Sequence, residues 1–392
     1  MPSSRTTDHP PQTTVPKRAG LAIYVTSHGF GHLHRTTAVV NRIPHSIPLS
    51  IRSHPSLFDR WRERVTRPVE LEPDVSDVGV VSPPGDSSET DGVATLELAA
   101  RVHAEAMARL DDEVAWLRER GIAAVLCDAP AVPLVAARHA GVPGYLMANF
   151  TWADIYAPYA RALGDDAVRL VAELRRAYRH AAGLFRIEPA LRMAWLGPAI
   201  PVGMVVNQGR NRREELARQL GLTRRERLVY FYVGRYGQDN LGWSRLERLA
   251  KCGIHFVSYD PTPAGRLENL HVVPSAAWPG GDLIASCDAV VAKAGYGTAC
   301  EAMASGTPMI YPPRRGFAEF RPLDRALRAW RGGLPVSSRD FQALRLDRAL
   351  ERALQMDPGP SPLPSDGASR IAHDLTRLCR NPVRDKAVPG FV

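Results

Sequence analysis

The sequence predicts an α/β protein that contains two doubly wound parallel sheets. Short apolar segments alternate with helical patterns along most of the chain, and this rhythm is typical of strands that pair in parallel with helices on both faces. The rhythm starts near residue 21 and starts again near residue 228. A length of 392 residues suits two domains of roughly 150 residues each. We therefore predict two similar units that face each other across a cleft.

The first unit is predicted to span residues 19–205. A tail at residues 1–18 precedes it; this tail is rich in Pro, Ser and Thr and lacks an apolar core, so we expect disorder rather than a signal peptide. The predicted elements are strands at 21–26, 49–52, 124–127 and 144–147, helices from the loop 27–32 to about 42, at 94–120 and at 132–140, and mostly helix at 152–182.

The second unit is predicted to span residues 206–380, with a tail at 381–392. The segment 198–213 is expected to cross between the units. The predicted elements are strands at 228–233, 255–259 and 270–273, helices at 244–251 and 282–286, and a last amphipathic helix with Ile371, Leu375 and Leu378 on one stripe.

Residues 288–308 predict a strand, a glycine turn and a helix start. Gly295 and Gly297 provide a turn where backbone can approach a ligand, and Thr298 and Glu301 have the spacing of a capping box. Free N–H groups and the positive end of the helix dipole attract an anion, so a nucleotide diphosphate fits here without a metal. The alternative is an ordinary turn of an α/β protein.

Composition argues against nucleic acid as a partner. The net charge is +9, but only four of the 50 basic residues are lysine, and the arginines are scattered among acidic residues. The denser arginines at 210–213 and 224–227 predict a solvated face or, at most, peripheral membrane contact. The five cysteines have no metal-binding spacing, which favours reduced thiols in the cytoplasm. No Asp-x-Asp occurs, so no metal site and no cofactor are expected.

Several motifs together resemble the GT-B glycosyltransferases, and most nearly the glycosyltransferase-like amino-terminal half of plant L-arabinokinase and its bacterial relatives. The matching stretches are residues 24–32 (YVTSHGFGH), 128–133 (DAPAVP), 149–156 (NFTWADIY), 293–298 (KAGYGT) and 317–320 (FAEF). The resemblance covers roughly residues 21–378. It implies a GT-B fold of two Rossmann-like domains, with the acceptor on the first and the nucleotide sugar on the second.

The resemblance implies an inverting, metal-independent transfer from a nucleotide diphosphate sugar, with UDP as the expected nucleotide. The acceptor, a small molecule or a lipid-linked group, is not indicated. Two departures stand out: the sequence has no sugar-kinase half, and Ser27 replaces the glycine expected before the His-Gly-Phe-Gly-His motif. The alternatives are a sugar-nucleotide-binding or sensor module without turnover, and a non-hydrolysing UDP-sugar epimerase of the same fold.

The resemblance assigns the catalytic base to His32 and its partner carboxylate to Asp128. A base is needed because an acceptor hydroxyl is a poor nucleophile until its proton is removed. A carboxylate behind the imidazole would hold its tautomer. His28 is the reserve base, and the competing interpretation of His32 is a helix-start histidine bonded to backbone.

The resemblance also assigns the donor site. Lys293 matches a phosphate-binding position, Glu301 is either a ribose ligand or a capping acid, and Glu319 matches a ligand of the donor sugar. Core packing is the competing interpretation of the aromatic residues, and Arg314 and Arg315 are further phosphate candidates. The expected donor-binding residues are Gly234, Trp278, Lys293, Gly295, Tyr296, Gly297, Thr298, Glu301 and Glu319.

Overall fold

The computed structural model describes residues 19–83, 89–233 and 241–381. These residues form two parallel sheets, one of seven strands and one of six. We call the first sheet with its helices the first unit and the second sheet with its helices the second unit. Two doubly wound units with helices on both faces are the architecture expected from the sequence.

The first sheet has the strand order β3-β2-β1-β4-β5-β6-β7. Its strands are β1 (Gly20–Val25), β2 (Leu49–Ser53), β3 (Glu70–Pro73), β4 (Ile122–Asp128), β5 (Gly144–Ala148), β6 (Gly183–Ile187) and β7 (Ile200–Gly203). Its helices are α1 (Phe30–Val40), α2 (Phe58–Arg64), α3 (Gly92–Ala108), α4 (Leu110–Glu119), α5 (Val132–His139), α6 (Trp152–Leu163) and α7 (Asp165–Tyr178).

The second sheet has the order β10-β9-β8-β11-β12-β13. Its strands are β8 (Arg227–Tyr232), β9 (Ile254–Ser258), β10 (Leu270–Val272), β11 (Ala289–Ala292), β12 (Met309–Tyr311) and β13 (Gly333–Pro335). The remaining helices are α8 (Arg213–Leu220), α9 (Ser244–Arg248), α10 (Gly280–Ser286), α11 (Tyr296–Ser305), α12 (Phe320–Trp330), α13 (Ser338–Gln342), α14 (Asp347–Leu354) and α15 (Gly367–Arg380).

The central strands form the core of each unit. Every residue of β1 and of β4 is buried, and so is every residue of β11, because helices cover both faces of each sheet. The sequence shows these strands as continuous apolar segments, and for that reason they were predictable. The edge strand β3 is exposed or half-buried and carries two glutamates, so no such pattern marks it.

Two predicted helices differ in detail from the structure. The predicted helix at 94–120 is two helices, α3 and α4, which meet at Arg109, whose ψ of 11° departs from the helical value. Helix α11 begins earlier than the capping-box pattern predicts. Its N-cap is Gly295, no side chain caps it, and Thr298 lies inside the first turn. The expected cap at Thr298 was therefore wrong, because the Gly-x-Gly segment is itself part of the helix start.

Helix α15 packs on the first unit although it follows the second in sequence. It contacts β1, β4, β7 and α1, and it buries Ile371, Ala372 and Leu375 there. The chain therefore crosses between the units twice. Within the described ranges, no helix is both long and apolar enough to cross a bilayer.

Candidate active site

The site lies where the strand order of each sheet reverses. In the first sheet β1 pairs with both β2 and β4, and in the second sheet β8 pairs with both β9 and β11. The loops that leave the carboxyl ends of such strands diverge and open a crevice, which is where open α/β sheets bind ligands. The segment that leads to His32 follows β1, Asp128 ends β4, and Lys293 follows β11.

His32 and Asp128 form a buried pair. Val25, at the end of β1, is in register with Asp128 at the end of β4, so the first turn of α1 lies over the carboxylate. His32 Nδ1 is 2.8 Å from Asp128 Oδ1. Thr36, one turn along α1, donates its hydroxyl to Asp128 Oδ2 at 2.6 Å.

Arg35 binds the same carboxylate. Its Nε lies 2.9 Å from Asp128 Oδ2, and its Nη2 also contacts Oδ1. Burial disfavours the charge of Asp128, but Arg35 and then His32 outweigh that effect and hold the carboxyl pKa well below its usual range. Asp128 is therefore ionised near pH 7.

Two groups lie within hydrogen-bonding distance of His32 Nδ1: Asp128 Oδ1 at 2.8 Å and Arg35 Nη2 at 2.9 Å. Because the carboxylate only accepts and the guanidinium only donates, the bond to Asp128 forms in the tautomer with the proton on Nδ1, which leaves Nε2 as an acceptor. Burial and the charge of Arg35 lower the pKa of His32, and Asp128 only partly offsets them. His32 is therefore a neutral imidazole near pH 7.

His28 lies beside this pair. Its ring makes an edge contact with Trp152, with ring centroids 5.3 Å apart, and stacks on Phe317 of the second unit at 6.2 Å. A β-carbon on Gly79 would lie 1.6 Å from His28 Nδ1, so the chain at this position covers the imidazole closely and requires glycine. Burial, followed by the charge of His32, lowers the pKa of His28 to about 3.

Two cations of the second unit face the histidines. Lys293 and Arg314 are half-buried and form no ion pair with any residue in the described ranges; Arg314 lies over the Phe317 ring at 3.8 Å. Burial, and then the nearby charge of Arg314, lower the pKa of Lys293 to about 8. Two close cations that share one nearby carboxylate, Glu319, form a site that an anion would stabilise.

Helix α11 begins next to these cations. Because no side chain caps it, the first-turn N–H groups of Tyr296, Gly297 and Thr298 have no acceptor in their own helix. Tyr296 itself is buried: its hydroxyl donates to the Glu188 carbonyl at 3.1 Å and accepts from the Val205 N–H at 3.0 Å.

Glu301, on the next turn of α11, lines a separate cavity of about 320 Å³ between the units. Arg64, His34 and Asp282 also line this cavity. Burial raises the pKa of Glu301 to about 8; Arg64 acts in the opposite direction and Asp282 in the same direction. A half-buried acid on the wall of an interdomain cavity is suited to binding ligand hydroxyl groups.

Glu319 is buried at the start of α12 and reaches the first unit. Its Oε1 accepts a hydrogen bond from Asn149 Nδ2 at 2.7 Å. Asn149 Oδ1 in turn accepts from Arg35 Nη1 at 2.7 Å. Glu319 is thus connected to the His32–Asp128 pair through two side chains.

One of the expected donor residues, Trp278, lies elsewhere. Trp278 is fully buried, its indole donates to Gln219 Oε1 at 3.0 Å, and Arg212 lies 4.1 Å from the ring centroid, so neither ring face is open to a nucleobase. Gly234 lies outside the described residues. Arg315 is exposed, and the arginines at 212 and 213 pair with Glu215, Asp282 and Asp288 rather than forming a free basic patch.

Sequence reasoning missed Arg35, Asn149 and Asp77. Arg35 lies three residues after His32 on the same helix, a spacing that could have indicated a shared face. Asp77 accepts from Trp152 Nε1 at 2.5 Å, and burial raises its pKa to about 7. Nothing in the local sequence marks Asp77. In the described parts of the chain, no group of three or more His, Cys, Asp or Glu residues is arranged to hold a metal ion.

The chain resembles known proteins in sequence and in fold. No family model matches the chain. L-arabinokinase of Arabidopsis thaliana is 28% identical over 353 residues, which are 87% of this chain and 33% of that protein. The chain thus spans about a third of the length of this curated relative.

Solved structures match over nearly the whole chain. The glycosyltransferase of kitacinnamycin has a TM-score of 0.60 at 15% identity and covers 93% of this chain and 96% of its own. Phytolacca americana UGT2, complexed with UDP-2fluoro-glucose and pterostilbene, has a TM-score of 0.60 at 15% identity, with 92% and 94% covered. Glycosyltransferase VinC in complex with dTDP has a TM-score of 0.56 at 17% identity, with 92% and 99% covered.

The protein has the GT-B fold. The resemblance to GT-B glycosyltransferases and to L-arabinokinase that the sequence motifs indicated is confirmed. In GT-B terms, β1 to β7 form the first Rossmann-like unit and β8 to β13 the second. The cleft between them contains His28, His32, Lys293, Arg314 and Glu319.

Proposed function

We propose that the protein is an inverting glycosyltransferase that uses a nucleotide diphosphate sugar and needs no bound metal. One observation carries this proposal: a buried His32–Asp128 pair on one unit, with Nε2 as an acceptor, lies beside the two cations Lys293 and Arg314 on the other. A base beside an anion site is what a single displacement at a sugar carbon requires. The GT-B neighbours support the same reaction class.

In the proposed reaction, His32 Nε2 removes the acceptor hydroxyl proton. The freed oxygen bonds to the anomeric carbon while the bond from that carbon to the diphosphate oxygen breaks, which inverts the configuration at that carbon. His32 becomes an imidazolium and Asp128 stabilises it. The departing nucleoside diphosphate gains negative charge, which Lys293, Arg314 and the N–H groups of α11 receive.

The donor is proposed to bind the second unit. The diphosphate would lie at Lys293 and the start of α11, and Glu301 would bind the ribose hydroxyls from the wall of the cavity. We favour UDP as the nucleotide because a GT-B neighbour is complexed with UDP-2fluoro-glucose, although another is complexed with dTDP. The acceptor, a small molecule or a lipid-linked hydroxyl, would enter from the first unit. Five cysteines without disulfides support a cytoplasmic location.

Calorimetric titration with UDP and uridine tests the anion site. Lys293→Ala should weaken UDP binding by ~1 to 3 kcal/mol, the range of a charge-assisted hydrogen bond, and leave uridine binding unchanged, since uridine has no phosphate. Lys251→Ala, at an exposed lysine of the same unit, is the matched control. The wild-type UDP affinity should be the same with and without EDTA.

Three results would count against the proposal. UDP affinity that collapses in EDTA would show metal dependence, and unchanged affinity in Lys293→Ala would remove Lys293 from the site. Wild-type protein that binds UDP-sugars but never releases UDP, over a broad panel of acceptors, would instead be a binding module without turnover.

A further inference from the structure

Five buried side chains form a continuous path between the two units. His32 contacts Asp128, Asp128 contacts Arg35, Arg35 contacts Asn149, and Asn149 contacts Glu319. Each of the five is at most 6% exposed. Only Glu319 belongs to the second unit, so the path connects the proposed base to the opposite side of the cleft.

The hydrogen-bonding groups along this path fix the orientation of the Asn149 amide. Arg35 is only a donor, so Asn149 must present its carbonyl oxygen to Arg35 Nη1 at 2.7 Å. The amide nitrogen of Asn149 then points to Glu319 Oε1 at 2.7 Å, where a carboxylate accepts it. Asn149 is therefore held from both sides, and it fixes the guanidinium that holds Asp128.

Glu319 adds a second negative charge to the path. Arg35 is positive and Asp128 and Glu319 are negative, so the five side chains carry one excess negative charge while His32 is neutral and none when His32 gains a proton. Asp128 alone does not supply this balance, because Arg35 already compensates its charge. His28 and Thr36 also face the pair and are neutral, whereas Lys293 and Arg314 act on His28 and Glu319 and add positive charge beside the path.

We propose that Arg35 and Asn149 are positioning residues that make the base of the first unit depend on Glu319 of the second. His32 then has its full chain of positioning contacts, ending at the carboxylate of Glu319, only when the two units are docked. Naming His32 as the base rests on the proposed function; the coupling itself does not.

The first test measures the pKa of His32 by NMR in the full chain with ¹⁵N-labelled histidine. Loss of a signal in His32→Gln assigns the resonance. Arg35→Gln should raise the His32 pKa by about 1 to 3, because a nearby cation is removed. Adding Glu319→Gln to Arg35→Gln removes a negative charge and keeps the shape of the side chain, so it should lower the His32 pKa again by about 1.

Glu188→Gln in the Arg35→Gln background is the matched control. Glu188 also lies at the boundary of the units, but it is half-buried, pairs with Arg186 and lies off the path. It should leave the His32 pKa unchanged. Equal His32 pKa values with and without Glu319→Gln would overturn the proposal.

Asn149→Ala serves as the second variant, because it breaks the path and keeps every charge on it. It should shift the His32 ring ¹⁵N signals and lower UDP release from UDP-glucose by about tenfold to a hundredfold, with the UDP affinity unchanged. Unchanged signals and turnover would overturn the coupling. If His32→Ala abolishes turnover while both coupling tests fail, the proposed function is supported and only the coupling of His32 to Glu319 is refuted.

Discussion

Arg35 determines the electrostatics of the His32–Asp128 pair more than any other single residue does. The sequence predicted that Asp128 would stand behind His32, and the two lie 2.8 Å apart. The carboxylate nevertheless divides its two oxygens among His32, Arg35 and Thr36. Because Arg35 lowers the pKa of His32, the imidazole is kept neutral and able to accept a proton.

We expect His32→Ala to lower kcat by ~10² to 10⁴ and to leave the donor affinity near that of the wild type. A base acts in the transition state and contacts the acceptor rather than the nucleotide. Steady-state kinetics together with UDP titration measure both quantities. Full turnover in His32→Ala, combined with loss of turnover in His28→Ala, would contradict the assignment.

Glu301 should make stability depend on pH. Its folded pKa of about 8 exceeds its ordinary value of 4.5, so its contribution to stability is complete below pH 4.5 and is lost as the pH rises through 8. We expect Glu301→Gln to remove this loss, because the amide does not ionise. Urea unfolding of the wild type and of Glu301→Gln between pH 5 and 9 measures this loss of stability. A difference in unfolding free energy between the two proteins that stays constant with pH would refute the raised pKa of Glu301.

Helix α11 is the element on which the proposed donor site depends most. Its first turn is uncapped, and the preceding Gly295 has a φ of −93° and a ψ of 154°, so the chain enters the helix from an extended conformation. Side-chain capping would have occupied an N–H that an anion can bind. Because no side chain occupies these N–H groups, they can bind the diphosphate in the proposed donor site.

Thr298→Ala should change the free energy of unfolding by less than ~0.5 kcal/mol, because Thr298 caps nothing. Ser337→Ala is the matched control. Ser337 is a true N-cap of α13, and its hydroxyl accepts from the Asp340 N–H at 3.0 Å, so its loss should cost ~0.5 to 2 kcal/mol. Chemical denaturation measures the free energy of unfolding of both variants. An equal loss at the two positions would show that Thr298 does act as a cap.

The two units are joined across the whole molecule by more than the cleft residues. Helix α15 returns from the second unit to cover β1, β4 and β7 of the first. Asn207 donates to the His34 carbonyl at 2.6 Å, and Tyr296 is bonded to backbone of the first unit. The first unit is therefore incomplete without the end of the chain.

We expect Leu375→Ala to destabilise the first unit by ~2 to 5 kcal/mol, as for other fully buried leucines. Hydrogen exchange should show the loss of protection in β1 and β4, which are far away in sequence. His373→Ala, an exposed position on the same helix, is the control. Loss of protection confined to the second sheet would contradict the packing of α15.

The sequence by itself determined the α/β class, the central strands and the motifs of the cleft. Buried strands are continuously apolar and glycine turns are local, so both are visible in short windows of sequence. The sequence predicted the cap at Thr298 wrongly. Gly and Thr both occur at helix N-caps, so Gly295 and Thr298, three residues apart, were both possible starts of α11. The edge strand β3 lacks an apolar segment because none of its residues is fully buried.

Only the tertiary structure decided which groups share the charge of Asp128. Arg35, Asn149 and Glu319 are separated by 114 and 170 residues along the path, and no local pattern connects them. The same holds for Trp278, which was expected among the donor-binding residues with core packing as the alternative, and which the fold buries against Gln219. Side-chain partners across a domain boundary depend on how two separately folded surfaces meet, and that information is not present in any one segment.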